Sequence, residues 1–524
     1  MTVSRVIWVA ARFLSRLDYN RYVMTSATNS VESRVKRVLA EIVRDYRPGF
    51  GGGLLSTSAY DTGWLARVRA NDDRERLAFP EALEWLLRHQ NPSGSWSGPF
   101  PHDILPTMSA LVALRIVPDV LSGHCAGPAS RALAYLRDSL AGWQVSTYDS
   151  VGFEVQLPTL VQSLNKLGVR LEIPNYGDVI DMMQAKLVRS AGSALAHGHS
   201  SLVYSLEALI GSLSPELIPG LRSPHGHYGH SPASTAAALQ HFCWNEQSAI
   251  WLRNLQARHN GGLPNVFAID AFEASWSLHF LLSVDPGLAD SPAGSQLLSR
   301  LEGIRDPVRG NSWASEEYCL QESDDTCLIL LALALAGRAI DPSVLLRFES
   351  ASCFVVFPNE RNASISSNAH VLESFVMANM ADRYSSQIAK ATSFLLSHRE
   401  VDGSWLDKWH ASPFYAVYCA TRGLALHPDP RIQGEITPGI LWLLAQQRAD
   451  GSWGQWAGSA EETAYAILAL IHSKLPGTRE ALRRGQAWIE AHYADPRPEL
   501  WIGKQLYSPI RVVEAAVLAA LQAK

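Results

Sequence analysis

The sequence lacks the features that mark several large classes of protein. Its six cysteines are scattered and form no C-x-x-C pair, so we predict neither a zinc site nor a disulfide framework, and we expect a reducing, cytoplasmic location. No run of about 18 uninterrupted apolar residues occurs, so no membrane span is predicted. The net charge of -5 and the absence of a long basic run exclude nucleic acid as the main partner, because phosphate binding needs a basic surface. Strand-like alternation is almost absent, so the chain is predicted to be mainly α-helical.

The first 30 residues differ from the rest. Arg5, Arg12, Arg16 and Arg21 alternate there with apolar residues. The segment has no signal-peptide core or cleavage site. Three interpretations stay open: a disordered extension, an early start codon with Met24 as the true first residue, and a basic amphipathic helix that makes peripheral contact with a membrane. We favour the first two over the membrane helix.

A repeated tract ending in Gly-Ser-Trp organises the chain. Clear copies reach Trp96, Trp405 and Trp453, each after an apolar-periodic segment and a polar turn. A glycine lets the chain turn beyond the end of a helix, and a glutamine such as Gln90 or Gln447 can satisfy free backbone groups there. We therefore expect helix pairs, with these tryptophans in structural positions.

An acidic stretch, "LQESDDTC" at 320–327, comes directly before the apolar run "LILLALALAG". Carboxylates are costly to bury, so their position needs a reason. Helix capping is one interpretation, because Ser323 or Asp324 can serve as N-cap and acids favour a first turn. Acid catalysis is the other, and these residues alone leave both open.

Gln-x-x-x-Gly-x-Trp tracts with an acidic motif between them resemble those of the squalene-hopene and class II diterpene cyclases. Further stretches resemble bacterial class II diterpene cyclases of the copalyl diphosphate synthase type: "SAYDTGWLARV", "VGFEVQLPTL", "SPASTAAAL", "GGLPNVFAIDAFEASWSL" and "LWIGKQLYSPIRVV". The resemblance runs from about residue 55 to about residue 515, in the order of the family.

The fold that the resemblance implies is all-α, with two α/α-barrels called γ and β and no α domain. We place the N-terminal extension at 1–30, the first β-domain helix at 31–51, the inserted γ domain at 52–260 and the rest of the β domain at 261–524. The metal-binding motif of class I synthases, Asp-Asp-x-x-Asp, is not found, because "NDDRER" at 71–76 has arginine in the last position. The diphosphate of the substrate is therefore expected to survive.

The resemblance assigns roles to the acidic stretch. Asp324 is the implied general acid, Asp325 and Glu322 are expected to orient or recharge it, and Asn368 is the expected hydrogen-bond donor behind it. Glu322 replaces the first aspartate of the Asp-x-Asp-Asp motif of the family. Protonating an alkene demands a strong acid in a dry pocket, and clustered carboxylates can keep one member protonated.

The resemblance also concerns the base that ends the reaction by removing a proton. Asn265 matches an asparagine that, in copalyl-type enzymes, holds a water together with a histidine. Tyr204 stands at the histidine position. Three interpretations stay open: the base is lost and the carbocation rearranges, Tyr204 accepts a proton through water, or Tyr204 only fills the histidine's volume while the base lies elsewhere.

Further candidates concern substrate and metal. Aromatic rings stabilise a carbocation without attacking it, and the candidates in or beside the resembling stretches are Trp276, Trp313, Tyr318, Trp409 and Tyr415. The diphosphate is expected at Lys186 and Arg189. Glu154 matches a carboxylate linked to magnesium, so Mg²⁺ is the expected cofactor.

We therefore expect a class II diterpene cyclase acting on geranylgeranyl diphosphate, with a rearranged bicyclic product of clerodane or halimane type. The alternatives are an unrearranged copalyl diphosphate, a drimane made from farnesyl diphosphate, and a non-catalytic helical-barrel interaction protein. A class I terpene synthase or a phosphatase that acts next is a further expectation from the family. The sequence does not predict the oligomeric state.

Overall fold

The computed structural model describes residues 30–47, 50–117, 119–143, 150–190, 201–210, 213–315, 320–357, 360 and 362–524. The predicted extension at 1–30 lies outside this part of the chain except for its last residue, and so does Tyr318. No helix in the described ranges is long and apolar enough to cross a membrane.

The N-terminal half contains nine of the helices numbered here. They are α1 (Val31–Asp45), α2 (Ala59–Leu65), α3 (Pro80–Arg88), α4 (Ile104–Arg115), α5 (Asp119–Leu140), α6 (Phe153–Lys166), α7 (Tyr176–Ser190), α8 (Pro232–His241) and α9 (Glu246–Arg258). Two 3₁₀ segments, Ser201–Ala208 and Pro215–Leu221, lie between α7 and α8.

The C-terminal half contains the remaining helices. They are α10 (Asp270–Val284), α11 (Pro292–Ile304), α12 (Ser323–Leu335), α13 (Ile365–Met377), α14 (Ser385–Ser397), α15 (Pro413–Ala425), α16 (Pro430–Gly434), α17 (Thr437–Gln446), α18 (Ala460–Leu470), α19 (Thr478–Ala491) and α20 (Ile510–Gln522). Two 3₁₀ segments, Pro286–Asp290 and Pro342–Phe348, belong to this half.

The helices of the C-terminal half close into a ring. In order, α10 packs on α12, α12 on α13, α13 on α15, α15 on α18, α18 on α20, and α20 returns to α10. These inner helices are buried on nearly all sides, as α12 shows from Ser323 to Leu333, because helices outside the ring cover their outer faces. A helix that is apolar all round needs such a position. The ring is an α/α-barrel.

A second, smaller ring forms from the N-terminal half. It runs α2, α4, α6, the 3₁₀ segment Ser201–Ala208, α8 and back to α2. One hydrophobic core fills this ring, and a separate core that includes α1 fills the other. The predicted all-α fold of two barrels is confirmed. The two cores are consistent with a γ domain inserted after α1, while the residue boundaries of the domains stay a prediction.

The described residues contain two short antiparallel strand pairs. β1 (Thr57–Ser58) pairs with β2 (Leu263–Pro264), and β3 (Trp501–Ile502) pairs with β4 (Leu506–Tyr507). The β3–β4 hairpin reaches across to the smaller barrel, since Gly503 accepts the backbone N–H of Val151. This hairpin therefore places C-terminal residues between the two cores.

The tryptophan tracts have the structural role that their sequence predicts. Trp96, Trp405 and Trp453 are fully buried, and each indole N–H donates to a carbonyl ten residues earlier, in the preceding helix. Gln447 donates to the carbonyls of Gly451 and Ala481 at 3.0 and 2.8 Å. Gln90 makes the matching pair of bonds in the smaller barrel. Each tract thus ties the end of one helix to its neighbour.

Candidate active site

Glu322 is the N-cap of the inner helix α12. Its backbone is extended, and its carboxylate accepts the N–H of Asp324 at 3.0 Å and of Asp325 at 2.5 Å. A capping side chain satisfies amides that have no partner within the helix. The acidic stretch therefore does cap a helix, but through Glu322 and not through Ser323 or Asp324.

Asp324 contacts a histidine of the neighbouring helix. The Nδ1 atom of His370, on α13, lies 2.6 Å from Oδ1 of Asp324, and both residues are buried. Burial alone lowers the pKa of His370, but the Asp324 carboxylate raises it, and the net pKa is well above the ordinary value. The structure thus brings a carboxyl and an imidazole into one buried, proton-sharing pair.

His370 occupies the position that the sequence assigned to Asn368. The amide of Asn368 instead bonds both backbone polar groups of Phe354 at 2.9 Å, and also the carbonyl of Ser364. Two residues along a helix point in different directions, so Asn368 cannot share the face of His370. The expected donor to Asp324 is corrected accordingly: it is His370, and Asn368 holds a loop.

The other two carboxyls of the stretch have raised pKa values. Burial, followed by the nearby charges of Glu322 and Asp324, raises the pKa of Asp325 well above its ordinary range. Burial raises the pKa of Glu322 to about 7, although the amides that it caps act against this. One oxygen of Asp325 is buried without a hydrogen bond. Such a cluster can store protons for Asp324.

An aromatic cluster lies on the His370 side of the acid. The Trp276 ring is edge-on to His370, with centroids 6.1 Å apart, and its indole N–H donates to the Tyr415 hydroxyl at 3.3 Å. Trp501 packs against Tyr415 at 5.0 Å and Phe272 at 5.6 Å. The structure therefore brings the predicted Trp276 and Tyr415 together and adds Trp501 and Phe272, which sequence reasoning missed.

The other aromatic candidates lie elsewhere. Trp313 is half-buried between the two cores and packs against His230 at 6.2 Å. Trp409 is half-buried with the Lys408 ammonium 4.7 Å above its ring. Among the described residues, no ring contact joins Trp313 or Trp409 to Trp276 or Tyr415. Tyr318 lies outside the described residues.

Tyr204 and Asn265 are in contact, as their pairing in the family implies. The Tyr204 hydroxyl donates to the backbone carbonyl of Asn265 at 3.1 Å. Both polar atoms of the Asn265 side chain are buried without a hydrogen-bond partner. Burial raises the pKa of Tyr204 well above its ordinary value, and nearby acids add to the effect. Tyr204 is thus a neutral phenol that already uses its proton.

A buried ion pair supports this tyrosine. Lys504, on the β3–β4 hairpin, lies 4.4 Å above the Tyr204 ring, 2.7 Å from Glu207 and 2.6 Å from the hydroxyl of Ser231. Glu207 also accepts the hydroxyl of Tyr60 at 3.0 Å. Sequence reasoning missed Lys504 and Glu207, although both lie within the stretches that resemble the family.

The predicted diphosphate residues lie on the smaller barrel. Lys186 on α7 forms an ion pair of 3.0 Å with Glu154 in the first turn of α6. The side chain of Arg189 lies outside the described part of the structure. In the described ranges no group of three or more His, Cys, Asp or Glu side chains could hold a metal, so Glu154 stands as a single carboxylate beside a cation.

The chain is similar to known proteins in sequence. The family model of the squalene-hopene cyclase C-terminal domain matches residues 361–466. Ent-copalyl diphosphate synthase of Streptomyces sp. (strain KO-3988) is 32% identical over 490 residues, which are 90% of this chain and 93% of that protein. The type B diterpene cyclase of Mycobacterium tuberculosis (strain ATCC 25618 / H37Rv) is 31% identical over 504 residues, 91% of this chain and 97% of that protein.

A solved structure has the same fold. Ent-copalyl diphosphate synthase from Streptomyces platensis superposes with a TM-score of 0.81 at 32% identity, covering 94% of this chain and 99% of that one. The sequence relatives and the matching fold point to the same family, and the buried acid cluster fits a cyclase of that family. The chain is an enzyme and belongs to the class II diterpene cyclases of the copalyl diphosphate synthase family.

Proposed function

We propose that this enzyme cyclises geranylgeranyl diphosphate to a bicyclic diterpenyl diphosphate, starting by protonation and leaving the diphosphate in place. The observation that carries the proposal is the buried Asp324–His370 pair, beside two carboxyls whose pKa values are raised. Its position next to an aromatic cluster supports the same chemistry.

The first step transfers the Asp324 proton to the terminal alkene. The π electrons of that alkene form the new C–H bond and leave a tertiary carbocation, which the next two double bonds attack in turn. His370 stabilises the Asp324 carboxylate that remains, because a charge-assisted hydrogen bond in a buried site is strong. Asp325 and Glu322 hold protons that can restore the acid form.

The aromatic cluster has the properties that the carbocation requires. Trp276, Tyr415 and Trp501 are nearly inaccessible to solvent, so they offer ring faces without admitting water. The quadrupole of a ring attracts positive charge and does not trap it as a nucleophile would. We assign these three residues to the wall around the growing decalin.

We further propose that the carbocation rearranges before it loses a proton, giving a clerodane or halimane skeleton. Tyr204 replaces the expected base, and its hydroxyl donates to a carbonyl while Lys504 covers its ring. A neutral phenol in that state is a poor proton acceptor. Hydride and methyl shifts then have time to run. A water held by the unpartnered amide of Asn265 is the rival base, and it predicts an unrearranged copalyl product.

Lys186 and Glu154 are proposed to hold the diphosphate end. The ammonium can bind phosphate oxygens directly, and Mg²⁺ typically uses one or two carboxylates together with substrate phosphates. The single Glu154 carboxylate beside Lys186 fits that minimal arrangement. Magnesium would supply charge neutralisation of the diphosphate. Chelation by EDTA is expected to raise KM more than it lowers kcat.

The test is turnover by purified protein, with dephosphorylation and identification of the alcohol by mass spectrometry and NMR. A bicyclic C20 alcohol that is absent with the Asp324→Ala variant supports the proposal. Turnover of farnesyl diphosphate alone would replace it with drimane formation. Turnover of neither substrate would indicate a non-catalytic scaffold.

A further inference from the structure

Asn265 carries a buried amide that makes no hydrogen bond. No part of the residue is exposed, and neither Oδ1 nor Nδ2 bonds to any described residue. Asn368 shows how a buried asparagine with a structural role differs, because its amide bonds the backbone of Phe354 and the carbonyl of Ser364. Burying an amide without such bonds is costly. The side chain of Asn265 therefore calls for an explanation other than fold stability.

A water molecule does not fit against this amide as the structure stands. Water needs room for a sphere of about 1.4 Å radius beside the atom that it bonds. The two polar atoms of the Asn265 side chain have almost no accessible surface, so the surrounding residues leave no such room. A neighbouring side chain must move before Asn265 can hold a water, and the identity of that neighbour decides when water enters.

The ring of Tyr507 lies beside Asn265. Both side chains pack on Gly503 of the β3–β4 hairpin: a methyl group in place of a glycine hydrogen would lie 3.3 Å from Cδ1 of Tyr507 and 3.4 Å from Cγ of Asn265. Glycine at this position leaves the room that the two side chains need to approach each other. The Tyr204 hydroxyl also holds the backbone carbonyl of Asn265 at 3.1 Å. The asparagine is thus fixed, and Tyr507 is the neighbour on the hairpin side.

Tyr507 also lines an internal space. The other residues of the hairpin are buried, whereas Tyr507 is half-buried, and its hydroxyl bonds to none of the described residues. Its ring lies 6.5 Å from that of Trp501, which belongs to the aromatic cluster. Burial, and then the charges of Asp325 and Glu461, raise the pKa of Tyr507 above its ordinary value. A side chain this deep that still has accessible surface lines a cavity, here between the acid cluster and the aromatic cluster.

We infer that Tyr507 is a specificity-determining residue, whose ring closes Asn265 off from the cavity and so keeps water away from the carbocation. A water at Asn265 would end the reaction early. It would take a proton from a carbon next to the charge, so that the C–H electrons form an alkene, or it would add through its oxygen and release a proton. With the amide closed off, the charge can migrate first. This role rests on the proposed cyclisation, but its first test needs no turnover.

Crystal structures of the wild type, Tyr507→Phe and Tyr507→Ala test the closure directly. The wild type and Tyr507→Phe keep the ring, so neither should have a water within hydrogen-bond distance of the Asn265 amide. Tyr507→Ala removes the ring and should have one. A water on Asn265 in the wild type or in Tyr507→Phe would overturn the inference, and so would a dry amide in Tyr507→Ala.

Turnover in water labelled with heavy oxygen tests the consequence for the product. Mass spectrometry after dephosphorylation gives the share of product that is unrearranged or carries a labelled oxygen on the ring system. We expect that share to rise about tenfold in Tyr507→Ala, because a small change in the relative barriers of two competing steps shifts their ratio that far. It should stay at the wild-type value in Tyr507→Phe. In Tyr507→Ala combined with Asn265→Leu it should fall back, since leucine cannot hold a water.

An unchanged share in Tyr507→Ala, or an equal rise in Tyr507→Phe, would contradict the role of the ring. Should Tyr507→Ala fail to fold, Tyr507→Val carries both tests, because valine suits a strand and also removes the ring. Wild-type enzyme that does not convert geranylgeranyl diphosphate would refute the proposed function, while the crystal structures would still test the closure. An unrearranged wild-type product with a dry Asn265 would refute the proposed rearrangement alone.

Discussion

Replacing Glu322 by glutamine should make the enzyme relatively more stable at alkaline pH. Glu322 is almost fully buried and its carboxylate accepts the backbone N–H groups of Asp324 and Asp325, and burial raises its pKa from 4.5 to about 7. At a pH above 4.5, which is the pKa of this carboxyl in the unfolded chain, the unfolded chain has released the proton. The native protein still holds the proton until the pH approaches about 7. The unfolded state then binds fewer protons, so stability falls as the pH rises toward about 7 and levels off beyond it.

The size of this effect follows from the two pKa values. Between about pH 5 and about pH 8.5, the Glu322 carboxyl should destabilise the wild type by about 2.5 kcal/mol. Glutamine does not titrate, so the variant lacks this contribution. Glutamine also turns its side-chain NH2 group, a donor, toward one of the two capped backbone N–H groups, which costs about 1 kcal/mol at every pH. The change with pH in the stability difference between variant and wild type therefore tests the raised pKa of Glu322. The part of that difference that is the same at every pH does not test it.

Thermal unfolding followed by circular dichroism measures this slope. The difference in midpoint between Glu322→Gln and wild type should shift in favour of the variant by about 2 °C from the acid to the alkaline condition, because a chain of 524 residues has a large entropy of unfolding. Glu81→Gln, an exposed glutamate in the first turn of α3, is the control and should run parallel to wild type. Parallel curves for Glu322→Gln would show that this carboxyl is not held protonated in the native cluster.

Three other substitutions probe the acid pair, the base position and a tryptophan tract. His370→Leu removes the partner of Asp324 and should lower kcat about a hundredfold or more with KM little changed; steady-state kinetics with an unaltered kcat would contradict the pairing. Tyr204→His restores the base position of the family and should raise the fraction of unrearranged product, and an identical product mixture by gas chromatography would rule this out. Gln447→Ala leaves the carbonyls of Gly451 and Ala481 without a donor, so it should cost about 1–3 kcal/mol of stability at unchanged turnover per folded molecule; an unshifted unfolding midpoint would count against this tie.

Local features of the fold could be predicted from the sequence. Apolar periodicity and the Gly-Ser-Trp tracts report on one helix and its next turn, and the bonds of Trp96, Trp405 and Trp453 lie within ten residues along the chain. The acidic stretch was also visible, because three carboxyls before an apolar helix are conspicuous. Its capping residue was not predicted, since capping depends on the extended backbone of Glu322.

The site residues that could not be predicted from the sequence depend on contacts between segments that are far apart along the chain. His370 meets Asp324 only because α12 and α13 are neighbours in the ring, and a two-residue error along α13 led to Asn368. Trp501 and Lys504 reach the site because the β3–β4 hairpin lies between the barrels. The position of a residue on a hairpin between two cores produces no periodic pattern in the sequence, so it could not be predicted.

Turnover in deuterium oxide tests the central claim most directly. Asp324 exchanges its proton with solvent before each cycle, so cyclisation of geranylgeranyl diphosphate should place one non-exchangeable deuterium on the carbon that was C14, with the diphosphate retained. The Asp324→Asn variant should give no labelled product. A bicyclic product without that deuterium, or release of inorganic diphosphate during the reaction, would contradict protonation by Asp324.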